Sequence, residues 1–243
     1  DTRIVVISRE NKGLIYSLNE GIERSKGEYI ARMDSDDISL PQRFARQINL
    51  MQEQKLDICG CHFYIINEHN EYIDTAIVPL NNESFLNHLC ITTPFAHPSV
   101  MMKKSFMTKS DLLMYGSTQY KNAEDYPFWI EFWNKKAKFG NVNGFLFQYR
   151  EFSSSLSKIN RINISKDKRE ISKKFILNNK ERLLDNFKNL DFKLISKREQ
   201  EFAVLIIIFL IKYNFSFKYI YNFKGMNKRA VICGILKFIS EKY

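Results

Sequence analysis

Residues 3–8 open the chain with a β-branched run that reads as a strand. Glu10-Asn11-Lys12-Gly13 breaks it. Leu14, Leu18 and Ile22 then recur at helical spacing, which predicts an amphipathic helix over 14–25, closed by Lys26-Gly27. A second strand is expected over 29–33, and it runs directly into Asp34-Ser35-Asp36-Asp37. Pro41 suits the first position of a helix that continues through Ile48 and Met51. Residues 56–66 read as a third strand, and 71–78 as the outer arm of a hairpin. This alternation of strands and helices predicts an α/β layer with parallel pairing.

Further along, the pattern predicts a short helix over 84–90 and a loop into a strand over 95–102. A helix over 122–139 carries Phe128, Trp129, Phe132 and Trp133, and a short strand follows over 141–149. A Ser-rich hinge at 153–157 separates this part from a helical, basic remainder. Two regions are therefore expected, 1–153 and 154–243.

Composition narrows the picture. Of 243 residues, 44% are hydrophobic and 26% charged, which excludes global disorder. The four cysteines, Cys59, Cys61, Cys90 and Cys233, are too few for a disulfide scaffold of this length. The longest apolar run, 202–211, has ten residues and suits a buried or interfacial helix rather than a membrane span. Charge is unevenly placed. Residues 1–153 hold 17 Lys/Arg against 19 Asp/Glu, whereas 154–243 hold 20 against 8. The net charge of +10 thus belongs to the tail. A basic tail can meet an anionic membrane surface, nucleic acid or water alone. Its Lys/Arg clusters flank apolar stretches, a pattern suited to an anionic leaflet; an ordinary helical subdomain with a solvated charged face reads equally well. No nucleic-acid-binding motif accompanies the charge, so no nucleic-acid partner is expected.

Two sets of residues could carry chemistry. Asp34, Asp36 and Asp37 crowd three carboxylates at a strand end, where ligands of open α/β sheets bind. Such a cluster is costly unless a cation neutralises it, and hard oxygen donors suit Mg²⁺ or Mn²⁺. The alternative is that Asp36 or Asp37 caps the next helix. Glu124-Asp125, at the start of the aromatic helix, could supply a general base; the alternative is again a first-turn cap. Cys59-Gly60-Cys61-His62 invites a zinc reading, but CxC spacing inside an apolar strand with no second pair fits buried thiols better.

Several runs together resemble glycosyltransferase family 2. They are Asn11-Lys12-Gly13-Leu14, Leu18-Asn19-Glu20-Gly21-Ile22, and Gly27 through Asp37. Pro41-Gln42-Arg43-Phe44 with Gln47, His97-Pro98-Ser99-Val100, Ala123-Glu124-Asp125-Tyr126 with Trp129, and Tyr149-Arg150 extend the match. The resemblance implies a GT-A-like, Rossmann-like nucleotide-sugar-binding sheet flanked by helices. That sheet would be incomplete at the N-terminus, entered at the family's third strand, and followed by a helical C-terminal extension. It implies an inverting transferase that moves a sugar from a nucleotide-sugar donor to a saccharide or lipid-linked acceptor. Asp36 and Asp34 would hold Mn²⁺ or Mg²⁺, with Asp34 also near the donor ribose. Asn11, Gly13, Asn19 and His97 would line the donor and acceptor sites. Asp125 would be the catalytic base, with Glu124 beside it. Surface polysaccharide or lipopolysaccharide assembly on the cytoplasmic face of the plasma membrane is the implied setting. A non-catalytic remnant and a basic membrane-associated module stand as alternatives.

Overall fold

In the computed structural model, residues 1–116, 119–120, 123–152, 160–189 and 197–212 are described. A mixed sheet runs through the middle of the chain. Its strands are β1 (Tyr29–Ala31), β2 (Ile38–Ser39), β3 (Ile58–Ile66), β4 (Tyr72–Ala76), β5 (Met101–Lys103) and β6 (Phe139–Arg150), in the order β1-β5-β3-β6-β2 with β4 on β3. β3 is the hub. One edge pairs with β5 at Ile58 and Cys59 and with β4 from Phe63 onward. The other edge pairs with β6 along its length. That pair is parallel; the β1·β5, β3·β5, β3·β4 and β2·β6 pairs are antiparallel. The parallel pairing expected from the sequence holds for β3 and β6 and is corrected for the other pairs. β4 follows β3 through a short turn, which favours an antiparallel neighbour, whereas β5 returns to the sheet from a distant part of the chain.

Helices cover both faces. They are α1 (Leu14–Arg24), α2 (Arg43–Glu53), α3 (Asn82–Leu89), α4 (Lys104–Ser110), α5 (Asp125–Asn134), α6 (Arg161–Asn178), α7 (Lys180–Asn189) and α8 (Lys197–Lys212). The period-two alternation of strand side chains separates two cores. Ile58, Met102 and Phe139 join Ile22, Phe85, Leu89 and Trp129 on one face. Cys59, Cys61, Met101 and Phe147 join Met51 of α2 on the other. The largest wholly buried side chain is Trp129, and full burial of a side chain of this class contributes about 1.5–3 kcal/mol.

The basic tail does not stand apart. Ile171, Phe175 and Ile176 of α6 and Ala203 to Phe209 of α8 enter the same core as Trp129 and Phe85. His88 of α3 meets Phe202 ring to edge at 4.8 Å. Residues 202–209 of the run 202–211 form a buried helix face rather than an exposed lipid-binding one. Among the described residues no helix is long and apolar enough to cross a membrane. The run 232–239 lies outside the described residues.

Residues 3–8 do not form the expected strand. Val5 and Val6 are 76% and 83% exposed. β propensity alone does not hold an extended segment; a ladder partner must satisfy its backbone, and none lies beside it among the described residues.

Candidate functional site

The strand directions explain where the chemistry gathers. β1, β3 and β6 run the same way, because β1 and β3 are both antiparallel to β5 and β3 is parallel to β6. Their carboxyl ends therefore share one end of the sheet. Arg32 and Asp34 leave β1 there, and Arg150 closes β6 there.

The acidic cluster is built at that end. One carboxylate oxygen from each of Asp34, Asp36 and Asp37 lies within 4.8 Å of the others. Asp37 is buried, and its Oδ1 accepts the backbone N–H of Arg150 at 2.8 Å. Its Oδ2 is buried without a partner among the described residues. Burial, followed by the charges of Asp34 and Asp36, pushes the Asp37 carboxyl up to about 6 against the pull of that N–H. The Arg150 guanidinium clamps the loop by donating to the Asp36 carbonyl at 2.6 Å and to the Asn67 carbonyl at 3.0 Å. The capping alternative is excluded for α2. Its N-cap is Gln42, and no side-chain cap bond is made there.

Arg32 is the cation of the site. It is 9% exposed and donates from Nη1 to Asp34 Oδ2 at 2.6 Å. Its Nε is buried with no partner among the described residues. A support beneath holds it in place. The fully buried Arg43 donates to the Arg32 carbonyl at 2.9 Å, and Gln47 donates to the Cys59 and Ser99 carbonyls at 3.1 and 2.8 Å. Arg43 and Gln47 thus tie α2 to β3 and to the end of β1; they position the site from below.

The second acid pair faces the same cleft. α5 begins at Asp125, and Glu124 occupies the N-cap position without a side-chain cap bond. Glu124 Oε1 lies 3.7 Å from His97 Nδ1, and His97 Nε2 is 2.7 Å from the Tyr115 hydroxyl. Burial, then Arg32, holds the His97 imidazole well below its ordinary range, so it is neutral and the Glu124 contact is not ionic at neutral pH. Burial raises the carboxyls of Glu124 and Asp125. Asp125 and Asp34 push Glu124 further, while Lys168 and Arg32 oppose the rise at Asp125. The Tyr115 hydroxyl feels Arg32, Asp125, Glu124 and Asp34 together. The two acid patches, far apart in the chain, meet around Arg32 and Tyr115.

Residues 1–109 match the family described as Glycosyl transferase family 2. They belong to that family. The fold is accordingly the GT-A-like mixed sheet flanked by helices. The chain is 32% identical over 160 residues to the O-antigen biosynthesis glycosyltransferase WbnJ of Escherichia coli, covering 65% of this chain and 61% of WbnJ. It is 29% identical over 157 residues to the amylovoran biosynthesis glycosyltransferase AmsE of Erwinia amylovora, covering 64% of this chain and 57% of AmsE. It thus spans about three fifths of the length of these curated relatives. Among solved structures it is similar to S. aureus TarS 1–349 in complex with UDP-GlcNAc, at 13% identity and a TM-score of 0.44, covering 92% of this chain and 60% of that one.

The expected site residues fall in three groups. Asp34, Asp36, Glu124, Asp125 and His97 come to the cleft. Asn19 is placed differently from a donor contact. Its amide donates to the Tyr115 carbonyl at 3.2 Å and its carbonyl accepts the Tyr115 N–H at 2.7 Å, so it positions Tyr115. Asn11 and Gly13 form the turn before α1. Asn11 Oδ1 accepts the Gly13 N–H at 2.9 Å, and Gly13 has φ +86°, the left-handed region that favours glycine. Sequence reasoning missed Arg32 and Tyr115 as site residues. Arg32 carried a readable signal, a cation entering an acid cluster from a strand. Tyr115 carried none, because it sits in an irregular loop.

The Cys59-Gly60-Cys61-His62 run is structural. Both thiols are fully buried in the α2-side core, and burial pushes Cys61 up to about 11. His62 faces away from them; its Nδ1 accepts the Val78 N–H at 3.2 Å.

Proposed function

We propose that this chain carries the catalytic part of an inverting glycosyltransferase that moves a sugar from a nucleotide-sugar donor to a saccharide or lipid-linked acceptor. The observation that carries the reading is the meeting of the Asp34 cluster and the Glu124-Asp125 pair around Arg32. The names of WbnJ and AmsE support a setting in surface polysaccharide assembly. A donor side on the cytoplasmic face of the membrane belongs to the same proposal.

The acidic cluster fits a divalent cation. Three hard oxygen donors converge within 4.8 Å, and one of them, Asp37 Oδ2, is buried with no partner among the described residues. Asp34, Asp36 and Asp37 would hold Mn²⁺ or Mg²⁺. A bound ion of that kind offsets negative charge on a departing diphosphate. Arg32 adds a fixed cation beside it, with a free Nε to donate toward the same charge.

Asp125 takes the acceptor hydroxyl proton as that oxygen attacks the anomeric carbon from the face opposite the leaving group. The C–O bond to the nucleoside diphosphate breaks as the new one forms, so configuration inverts and no enzyme-bound sugar is needed. The raised carboxyl suits a base for an alcohol, because a more basic carboxylate accepts the proton more readily. Glu124, His97 and Tyr115 form a linked chain of polar groups beside Asp125.

The test is release of nucleoside diphosphate from a panel of sugar nucleotides with an oligosaccharide acceptor. Turnover is expected only with Mn²⁺ or Mg²⁺, with the opposite anomer in the product. Metal-independent turnover, or a product that keeps the donor's anomeric configuration, would contradict the reading.

A further inference from the structure

A cavity of about 460 Å³ opens at the other end of the sheet. Its position follows from β6. The strand starts at the cavity with Phe139 and ends at the acidic cluster with Arg150. β6 carries bulges and pairs with only the nine residues 58–66 of β3, so at about 3.3 Å per residue its two ends are roughly 26 Å apart.

The lining has one sign of charge. Lys136, Lys138 and Arg182 contribute three cations, and no Asp or Glu lines the cavity. Asn81 and Asn82, at the N-terminus of α3, add the positive end of a helix dipole. Beneath lie Trp133 and Phe139, 7% and 5% exposed. The Arg182 guanidinium sits over the Trp133 ring at 4.8 Å, so an aromatic surface orients one cation. Lys136 adopts φ +65° in the turn after α5. Glycine or asparagine would take that backbone with less strain, yet the chain places a cation there. The ammonium groups of Lys136 and Lys138 make no ion pair among the described residues, although the Lys138 backbone N–H donates to Asp57 Oδ2 at 2.8 Å. The volume exceeds that of a bare ion and lies in the range of small-molecule sites.

We propose that this cavity binds a phosphate ester, with its anionic group on Lys136, Lys138 and Arg182 and its organic part against Trp133 and Phe139. A soluble phosphorylated metabolite and a phospholipid headgroup present this same chemistry. Phosphate is favoured because three point cations and a helix N-terminus together match an anion with several acceptor oxygens.

The experiment uses the whole chain and its two tryptophans, Trp133 in the cavity lining and Trp129 one helical turn earlier on α5, against His97. Their indole N–H resonances are assigned with Trp133→Phe. Titrated sn-glycerol 3-phosphate is expected to move the Trp133 signal saturably and further than that of Trp129, which does not line the cavity. Lys136→Gln/Lys138→Gln/Arg182→Gln, at exposed positions, is expected to weaken binding at least tenfold with an unchanged fold. Lys136→Gly removes one cation while relieving the turn, so it separates binding from stability: affinity falls and Tm does not. A parallel arm uses phosphatidylglycerol and phosphatidylcholine vesicles. Binding to the anionic vesicles that the triple variant loses identifies the lipid source; vesicle binding indifferent to the variant, with glycerol 3-phosphate binding lost, identifies the soluble one. A Trp133 signal unmoved by either probe, or a triple variant that binds both as the parent does, overturns the proposal. Asp36→Asn and Asp125→Asn leave Trp133 binding intact, so failure here is distinct from failure of the transferase reading.

Discussion

Two short runs of this chain look like metal sites on paper, and the fold treats them oppositely. Cys59-Gly60-Cys61-His62 lies inside β3, where alternation sends both thiols into the α2-side core and turns His62 away. Asp34-Ser35-Asp36-Asp37 leaves the end of β1, where the backbone is no longer in the ladder and three carboxylates can turn toward one point. The lesson is that ligand spacing matters less than whether the residues sit within a strand or just past its end. The thiols are kept protonated by burial. The carboxylates are kept close at a cost that a cation would remove.

The sharpest break in the comparison is catalytic. Asp36→Asn and Asp125→Asn are each expected to lower turnover by at least about a thousandfold, whereas Cys61→Ala retains near-parental turnover per folded molecule. Steady-state rates with circular dichroism as a fold control decide it. Equal losses in all three would erase the distinction between the runs.

A large structural effect is expected just beneath the site. Arg43 is fully buried and bonds to Gln47 and to the Arg32 carbonyl. Arg43→Ala leaves those partners without their donor, and breaking a buried charged network costs about 3–5 kcal/mol. Urea denaturation reads this directly; a loss under about 1 kcal/mol would show that the network does not support the site.

The pH dependence separates the two runs by sign. As the proposed base, Asp125 would have to be ionised to act, and burial raises its carboxyl. Activity is therefore lost as pH falls through a value above the ordinary carboxylate range, tenfold per unit below it. A kcat/KM profile with an acid limb near 4 would contradict that environment. Cys61 acts at the other extreme and on stability alone. Its folded value near 11 lies above the ordinary value of 9.0, so the unfolded chain ionises first as pH rises. Its contribution is complete below pH 9 and is lost toward pH 11, on the order of 2–3 kcal/mol. Cys61→Ala is expected to reduce this alkaline slope in Tm, the buried Cys59 and Cys90 thiols, which burial also raises, supplying the rest. The smallest effect is a null one: a zinc-selective chelator leaves Tm unchanged.

Much of the frame was legible from periodicity. The helix expected over 14–25 is α1, the strand over 56–66 contains β3, and the aromatic helix is α5, shorter than expected because the chain turns at Lys136 and enters β6 at Phe139. What eluded the pattern depends on distant partners. Residues 3–8 have strand composition but no ladder neighbour among the described residues. Antiparallel pairing of β5 follows from where the chain returns rather than from its composition. Asp34, Asp36, Glu124 and Asp125 were visible as carboxylates in suggestive places, yet Arg32 and Tyr115, which join them, enter only once the sheet fixes β1 beside β5. Arg43 and Gln47 were readable as part of a motif, but their work as a support under Arg32 needed coordinates.

The account rests on the two acid patches sharing one cleft, and paramagnetic broadening by Mn²⁺ tests that most directly. Added Mn²⁺ is expected to broaden the His97 ring signal strongly, the Trp133 indole toward the far end of α5 less, and to lose this pattern in Asp36→Asn. Broadening that spares His97, or that survives Asp36→Asn, would contradict it.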